Sequence, residues 1–374
     1  THEIILDSLL SNARNFDIKN DQVVCPINNF NPKSILGRMK ELRYVNRGSM
    51  FGICAAELAI KDAKLSPDQL SDSGLFIGTG PNFDFTSDFP LTTRTTLDHD
   101  KLQALFILKY LPNTMASMIA KRWQIHGETA TIGNACAAST QAIGEGYLRI
   151  KSGRTKIAIV GGGDSRIQEG GLLAYQKASA LHQGSADSYI PFSQNRQGFV
   201  PGEGAAFLIL EEKESALKRK AKIYGEILGF GSSMDAHAMT APDPTGFGAK
   251  KAIRQALQDS TLDPNQINTV FAHGTGTLLN DKMEASLISN LFPHRPFVTS
   301  LKSRIGHLSS ACGAMESAIP LLINNKLPQS FGLNNHNKAF DLNFENQPAS
   351  LDYWVVQNFG FGGQNSALVF GANQ

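Results

Sequence analysis

A chain of 374 residues with 41% hydrophobic residues is long enough to bury a large core, which excludes a disordered or fibrous protein. Its 35 basic and 33 acidic side chains form no long run of one sign, so the sequence predicts no binding to nucleic acid or to a membrane surface. No signal segment and no apolar run of about 20 residues is found, so we expect a protein that is neither exported nor membrane-spanning. Cys25, Cys54, Cys136 and Cys312 form no zinc or disulfide pattern, so we expect reduced thiols in the cytoplasm and no metal site.

Short apolar runs alternate along the chain with longer segments of helical spacing. The predicted strands include Leu75 to Ile77, Thr129 to Ile132, Ile157 to Val160, Phe207 to Leu210, Thr269 to Ala272 and Ala367 to Phe370. The predicted helices include Gly48 to Ala63, Asn113 to Trp123, Gly248 to Asp259 and Asp281 to Leu291. Strands that alternate with helices predict an α/β fold.

Two parts of the sequence have similar patterns, TATIGNACAASTQAIGEG and FVTSLKSRIGHLSSACGAMES. Each has an extended run, a turn with reactive residues and then a helix rich in small side chains. Each half also closes on a glycine-rich turn and a strand, in GFVPGEGAAFLILEE and in NFGFGGQNSALVFG. The repeat predicts two related halves, 1–215 and 216–374, joined near a charged surface helix at Lys213 to Ile223 and packed as one rigid unit.

Cys136 follows a predicted strand and a turn, and it opens a helix of small residues. The free N–H groups and the dipole at a helix N-terminus stabilise a thiolate and can bind an oxyanion, which suits an acyl-transfer nucleophile. Taken alone, a cysteine among alanines is more often a small core residue.

The run FAHGTGTLLND places His273 at the end of an apolar strand. The glycines that follow allow a ligand to approach closely, and the hydroxyls of Thr275 and Thr277 could bind the amides of an extended substrate arm. The alternative is a structural turn.

The run SLKSRIGHLSSACGAMES brings Lys302, His307 and Glu316 into one polar cluster. A lysine beside a histidine favours the neutral imidazole, and Glu316 could hold Lys302 in place. A core or surface histidine and an ordinary helix-face glutamate are the alternatives.

Near the C-terminus, NFGFGG places Phe359 where the chain must bend sharply. Such a glycine turn can present backbone N–H groups to an oxyanion, or it can simply precede the last strand.

The four segments, in this order, resemble the ketosynthase branch of the thiolase superfamily, in its elongating type with one cysteine and two histidines. The resemblance runs from about Asn31 to the C-terminus and includes NPKSILGRMKELRYVNR, NRQGFVPGEGAAFLILEE, AHGTGTLLND, KSRIGH and NFGFGG. It implies a thiolase-like fold in which two related α/β halves form α-β-α-β-α layers. It also implies a 3-oxoacyl-carrier-protein synthase that condenses an acyl group with a malonyl unit, in fatty acid, polyene or polyketide synthesis.

By this resemblance Cys136 is the nucleophile, and the N–H groups of Cys136 and Phe359 form the oxyanion hole. His273 and His307 stabilise the enolate formed as carbon dioxide leaves, and Lys302 supports the second histidine. Phe359 would also be the gate between the malonyl and acyl sides.

Further residues acquire supporting roles by the same resemblance. Thr275 and Thr277 would bind the pantetheine arm, and Tyr175 falls where the family usually has a phenylalanine beside the acyl tunnel. Glu316 and Asp281 would support the geometry of the site.

The resemblance implies no bound cofactor, because the substrates arrive on the phosphopantetheine of an acyl carrier protein. The expected assembly is a homodimer, or a heterodimer with a chain-length factor. The alternative function is that of the chain-length factor itself, although such subunits have typically lost the cysteine. A thiolase, a starter-type synthase and a cysteine hydrolase fit the motifs less well.

The sequence departs from the family at its start, where HEIILDSLLSN replaces the usual short strand and glycine turn. We therefore expect one strand of the first sheet to be missing and the exposed sheet edge to need a cover.

Overall fold

The computed structural model describes residues 14–84, 104–323 and 327–373, and the structural statements below concern these residues. The described chain opens with a hairpin of β1 (Asp17–Lys19) and β2 (Gln22–Val24). Asn20 and Asp21 turn the hairpin with φ of 48° and 60°. Asparagine and aspartate tolerate this left-handed conformation better than other side chains, so the turn follows from the local sequence.

Two mixed sheets carry the fold. The first contains β3 (Gly74–Gly78), β4 (Thr129–Ile132), β5 (Ile157–Ser165) and β6 (Glu203–Glu211), in the order β4-β3-β5-β6. The second contains β7 (Gly225–Met234), β8 (Thr269–Phe271), β9 (Phe297–Thr299), β10 (Tyr353–Phe359) and β11 (Gln364–Ala372), in the order β9-β8-β10-β11-β7. In each sheet three strands are parallel and the next is antiparallel, so β4, β3, β5 and β6 correspond to β9, β8, β10 and β11.

Strand β7, which pairs with β11, has no counterpart beside β6 among the described residues. The predicted absence of a first strand falls on the N-terminal segment, which lies outside the described residues.

The helices alternate with the strands, as the sequence pattern predicts. They are α1 (Pro32–Leu36), α2 (Arg47–Ala63), α3 (Pro67–Leu70), α4 (Thr114–Trp123), α5 (Ala138–Lys151), α6 (Glu169–Lys177), α7 (Lys213–Lys218), α8 (Phe247–Ser260), α9 (Leu278–Leu291), α10 (Lys302–Ile305) and α11 (Cys312–Leu322). Within the described ranges, none of these helices combines the length and the apolar character that crossing a bilayer requires.

Three apolar clusters hold the layers together. In the first, α2 and α4 cover the outer face of the first sheet. In the second, α5 and α11 lie between the two sheets and pack against both. In the third, α8 and α9 cover the outer face of the second sheet. The result is the predicted α-β-α-β-α layering, with the central helices between the two sheets.

All six predicted strands and all four predicted helices are present, most of them longer than the sequence pattern indicated. The charged surface helix is shorter than predicted, because α7 ends at Lys218 and Lys220 adopts a φ of 56°. The division into halves at 215 and 216 remains a prediction. In the structure β6 ends at Glu211 in one sheet and β7 begins at Gly225 in the other.

The two central helices begin in the same unusual way. A 3₁₀ turn over Ala135–Ala137 leads into α5, and another over Ser309–Ala311 leads into α11. The first residue of each turn has a left-handed backbone, with φ of 45° at Ala135 and 50° at Ser309. Left-handed backbone costs a non-glycine residue roughly 1–2 kcal/mol, so both turns are held by their surroundings. The repeat makes Cys136 and Ser310 structurally equivalent residues.

Candidate active site

Cys136 lies in the 3₁₀ turn between β4 and α5, where its side chain is partly exposed. The backbone N–H of Phe361 faces its sulfur and lowers the pKa of the thiol. Burial of the sulfur raises the pKa of the thiol to about 11, although Lys302, Arg166 and the Phe361 amide act in the opposite direction. Burial of the sulfur thus opposes the thiolate form, which the helix N-terminus favours.

The glycine turn places two phenylalanines differently, and the predicted role of Phe359 remains a prediction. Phe359 is the last residue of β10 and pairs with Asn365, and its buried ring packs 5.6 Å from the ring of His273. The residue at the sulfur is Phe361, two positions later, whose side chain is 40% exposed. Sequence analysis missed it because the motif contains two phenylalanines, and only the position of the strand end tells which amide is free to face Cys136.

The two histidines meet at the nucleophile. His273 follows β8 and His307 follows α10, and each is only 3% exposed. Their ring centroids lie 5.7 Å apart with the planes at 86°. The Cys136 sulfur and one ring nitrogen of each histidine lie within 4.8 Å of one another. The structure thus brings together the three side chains that the motifs singled out.

His307 is oriented as a hydrogen-bond donor toward the site. Its Nδ1 accepts a hydrogen bond from the backbone N–H of Ser309 at 2.9 Å, and Cys312 Sγ lies 3.5 Å from the same atom. Burial, followed by the charge of Lys302, lowers the pKa of both His273 and His307 well below the usual value. A neutral imidazole that accepts at Nδ1 carries its proton on Nε2.

The spacing of Cys136, His273 and His307 would also suit a metal ion, since one cysteine and two histidines are zinc ligands. A metal-bound histidine, however, normally donates a hydrogen bond from its other ring nitrogen. His307 accepts at that nitrogen, so it fits a metal poorly and fits an oxyanion well. The donor set therefore favours charge stabilisation by N–H groups.

Lys302 and Glu316 form a buried ion pair beneath the histidines. Lys302 Nζ lies 2.6 Å from Glu316 Oε1, and the two side chains are 1% and 2% exposed. Burial opposes the charge of Lys302, but Glu316 outweighs it and the pKa of the lysine is raised. The predicted pairing of these residues is found, and the positive charge stays in place near both imidazoles.

Two acids on one face of α9 hold the histidine loop. Asp281 accepts from the backbone N–H groups of Phe192 at 2.8 Å and Gly276 at 3.2 Å, which fits the support expected of it. Glu284 accepts from the N–H groups of His273 at 2.6 Å and Gly274 at 2.7 Å, and burial raises its pKa to about 7. Sequence analysis did not identify Glu284, although its spacing of three residues from Asp281 puts both on one helix face.

The remaining predicted residues lie around the same centre. The hydroxyls of Thr275 and Thr277 are 2.9 Å apart. The Tyr175 hydroxyl is 2.7 Å from Ser309 Oγ, and its ring makes an edge contact with Phe199, which in turn packs on His307. Tyr175 therefore lies on the His307 side of the nucleophile. The binding roles of the three residues remain predictions.

Known proteins resemble this chain over nearly its whole length. Residues 10–216 match the family model for the beta-ketoacyl synthase N-terminal domain, and residues 224–333 match that for the C-terminal domain. The chain is 33% identical over 357 residues to the 3-oxoacyl-[acyl-carrier-protein] synthase 2 of Synechocystis sp., with 92% of this chain and 86% of that protein covered. It is 30% identical over 356 residues to the protein of the same name from Staphylococcus aureus, with 92% and 88% covered.

Solved structures agree with the sequence relatives. A beta-ketoacyl synthase from Burkholderia phymatum superposes with a TM-score of 0.90 at 28% identity, covering 100% of this chain and 96% of that one. The ishigamide ketosynthase/chain length factor superposes with a TM-score of 0.88 at 26% identity, covering 100% and 95%. The predicted thiolase-like fold and the predicted family resemblance are thereby confirmed, and the chain belongs to the beta-ketoacyl synthase family.

Proposed function

We propose that this chain is an acyltransferase, a 3-oxoacyl-[acyl-carrier-protein] synthase that condenses an acyl group on Cys136 with a malonyl thioester. The convergence of one thiol and two buried neutral imidazoles within 4.8 Å carries the proposal. The family membership and the relatives of that name support it. Both substrates would arrive on the phosphopantetheine arm of an acyl carrier protein, without a bound cofactor.

The first half-reaction moves the acyl group to the enzyme. Cys136 Sγ attacks the thioester carbonyl, the carbonyl oxygen becomes an oxyanion, and the pantetheine sulfur leaves with the proton of the thiol. The N–H of Cys136 and the N–H of Phe361 would bind this oxyanion, because the Phe361 N–H faces the sulfur. The glycine turn that carries Phe361 permits this close approach.

The second half-reaction forms the carbon–carbon bond. The malonyl carboxylate leaves as carbon dioxide, and its electron pair passes into an enolate whose oxygen accepts hydrogen bonds from His273 and His307. The enolate carbon then bonds to the carbonyl carbon on Cys136, and Sγ leaves and takes up a proton from solvent, which replaces the one lost with the pantetheine thiol. Neutral imidazoles suit this step, because they donate hydrogen bonds without activating water against the thioester.

The surroundings support the substrate roles of Tyr175, Thr275 and Thr277. The paired threonine hydroxyls are suited to the amides of a pantetheine arm, and the Tyr175–Ser309 pair would line the acyl side. The acyl chain length and the choice between a fatty acid, polyene or polyketide pathway depend on the shape of that side.

We further propose that the chain works as a dimer, either with a second copy or with a chain-length factor. Strand β4 lies at the edge of the first sheet, and its outer side is unpaired within the described residues. A free strand edge is a pairing surface. The solved relative that carries a chain length factor in its name is consistent with the heterodimeric form. The four free thiols also favour the reducing cytoplasm as the site of action.

The test compares three variants of the purified protein, with any partner that co-purifies, on acyl- and malonyl-carrier protein. Cys136→Ala should abolish acyl loading, seen by intact-protein mass spectrometry, and condensation with it. His273→Ala should keep loading but lose carbon dioxide release from the malonyl group. Cys54→Ala, which removes another buried thiol remote from the site, should leave both steps intact. If Cys136→Ala left condensation unchanged, the chain would be the non-catalytic subunit of a heterodimer.

A further inference from the structure

Asn358 lies at the meeting point of four segments that are distant in sequence. It is the second-last residue of β10, and strand alternation puts its side chain on the face of Trp354 and Val356, toward the central helices. Val355 and Phe359 point to the opposite, outer face. Asn358 is fully buried, so each of its polar atoms needs a partner.

The side-chain amide has three such partners. Nδ2 donates to Glu316 Oε2 at 2.7 Å and lies 3.3 Å from His273 Nδ1, while Oδ1 accepts from the Thr140 hydroxyl. The orientation of the amide follows from the chemistry of Glu316. A carboxylate paired with Lys302 offers only acceptors, so the NH₂ group must face Glu316, and the same NH₂ group then faces His273.

We propose that Asn358 is a positioning residue that fixes the tautomer of His273. By donating to Nδ1, it keeps the proton of the neutral imidazole on Nε2, so His273 presents an N–H group to the site. This inference rests on the proposed function, in which both histidines must donate to the enolate oxygen. Asn358 does not touch the substrate and acts only through His273.

The two histidines reach the same state by different means. His307 is held by the backbone N–H of Ser309 at 2.9 Å, a donor that no substitution at position 309 other than proline removes. His273 depends on one side chain. Gly313 contributes to this arrangement, because a Cβ at that position would lie 1.8 Å from Thr140 Oγ1 and 2.7 Å from Asn358 Oδ1.

The proposal is tested by reversing the donor without changing the charge of the cluster. In the double variant Asn358→Asp/Glu316→Gln, the carboxylate moves from position 316 to position 358 and the amide moves the other way. The carboxylate introduced at position 358 would accept from His273, which would put the proton on Nδ1 and leave Nε2 as an acceptor. The single variant Glu316→Gln, which keeps Asn358 but lacks the carboxylate, shows what the change at position 316 contributes by itself.

The primary readout is the protonation of His273 in the wild-type protein, measured by ¹⁵N NMR of the imidazole and assigned by the signal that His273→Gln removes. We expect a neutral ring protonated on Nε2 in the wild type and on Nδ1 in the double variant. Carbon dioxide release from malonyl-carrier protein should fall about 100-fold in the double variant relative to Glu316→Gln, as expected when one donor to a developing oxyanion is lost. Acyl loading of Cys136 should persist.

A wild-type His273 protonated on Nδ1 would overturn the proposal, and this result needs no folded variant. A double variant that reverses the tautomer yet keeps its decarboxylation rate would overturn the catalytic consequence. Failure of the proposed function is distinguishable, because it would appear as absent loading or condensation in the wild-type protein whatever the tautomer of His273.

Discussion

Removing the negative charge beneath the histidines tests whether the Lys302–Glu316 pair is held as the structure indicates. Glu316→Gln leaves the Lys302 ammonium buried without its partner, in a site where both side chains are almost fully enclosed. Breaking one side of a buried ion pair costs about 3–5 kcal/mol, because the remaining charge keeps its desolvation penalty. We therefore expect a marked loss of thermal stability.

The size of the shift follows from the length of the chain. An unfolding entropy of about 2.1 cal/mol/K per residue over 374 residues gives roughly 0.8 kcal/mol/K. The expected loss in Tm is then about 4–6 °C by differential scanning calorimetry, for a single cooperative transition.

A lysine–glutamate pair on the surface, with the same N–O distance, serves as the control. Lys213 Nζ lies 2.6 Å from Glu226 Oε1, but the two side chains are 60% and 28% exposed. Glu226→Gln should therefore cost about 0–1 kcal/mol and lower Tm by about 1 °C or less, since solvent screens the pair. Equal shifts for the two variants, or no shift for Glu316→Gln, would show that burial does not set the strength of the internal pair.

Three further predictions concern pH and packing. The pKa of His273 and of His307 is lowered in the folded state, so the stability that they contribute is complete above about pH 6.5. This stability is lost as the pH falls below that value, by about 1.4 kcal/mol per pH unit for each histidine. Urea unfolding at pH 7 and at pH 5.5 measures the loss, and a midpoint that does not change with pH would contradict it. Alkylation of Cys136 by iodoacetamide should accelerate about tenfold per pH unit up to a pKa near 11, and a plateau near pH 8 would indicate a stabilised thiolate instead. Gly313→Ala puts a methyl group 1.8 Å from Thr140 Oγ1, so it should lower Tm by several degrees. It should also reduce decarboxylation more than acyl loading. An unchanged Tm would mean that the two central helices move apart at little cost.

The layers of the fold were predictable because they depend on local patterns. β4, for example, occupies the very residues predicted from an apolar run that ends in a polar turn. β7 was missed because GEILGFGSSM is interrupted by glycine, which sequence patterns assign to turns. It becomes a strand because β11 supplies a partner along its length. Tertiary pairing, and not local preference, decides such segments.

The site was predictable to the extent that its residues stand in short motifs. Cys136, His273 and His307 each follow a strand or turn that the sequence marks, so their convergence could be expected. Asn358 could not be recognised, since its partners come from α5, the loop after β8 and α11, and no spacing in the sequence relates them. The raised pKa of Cys136 escaped prediction for a similar reason, because desolvation depends on everything packed around the sulfur.

The internal repeat explains why the chemistry needs both halves. Each half provides a strained turn at the start of a central helix, and the two turns pack against each other, so residues on both are brought to one point. Cys136 occupies the first turn, while the equivalent Ser310 is buried and its hydroxyl has no hydrogen-bond partner among the described residues. His307, three residues before Ser310, lies beside the Cys136 sulfur. The repeated fold thus sets the position of the site, and the difference between its halves gives one half the nucleophile and the other the two hydrogen-bond donors.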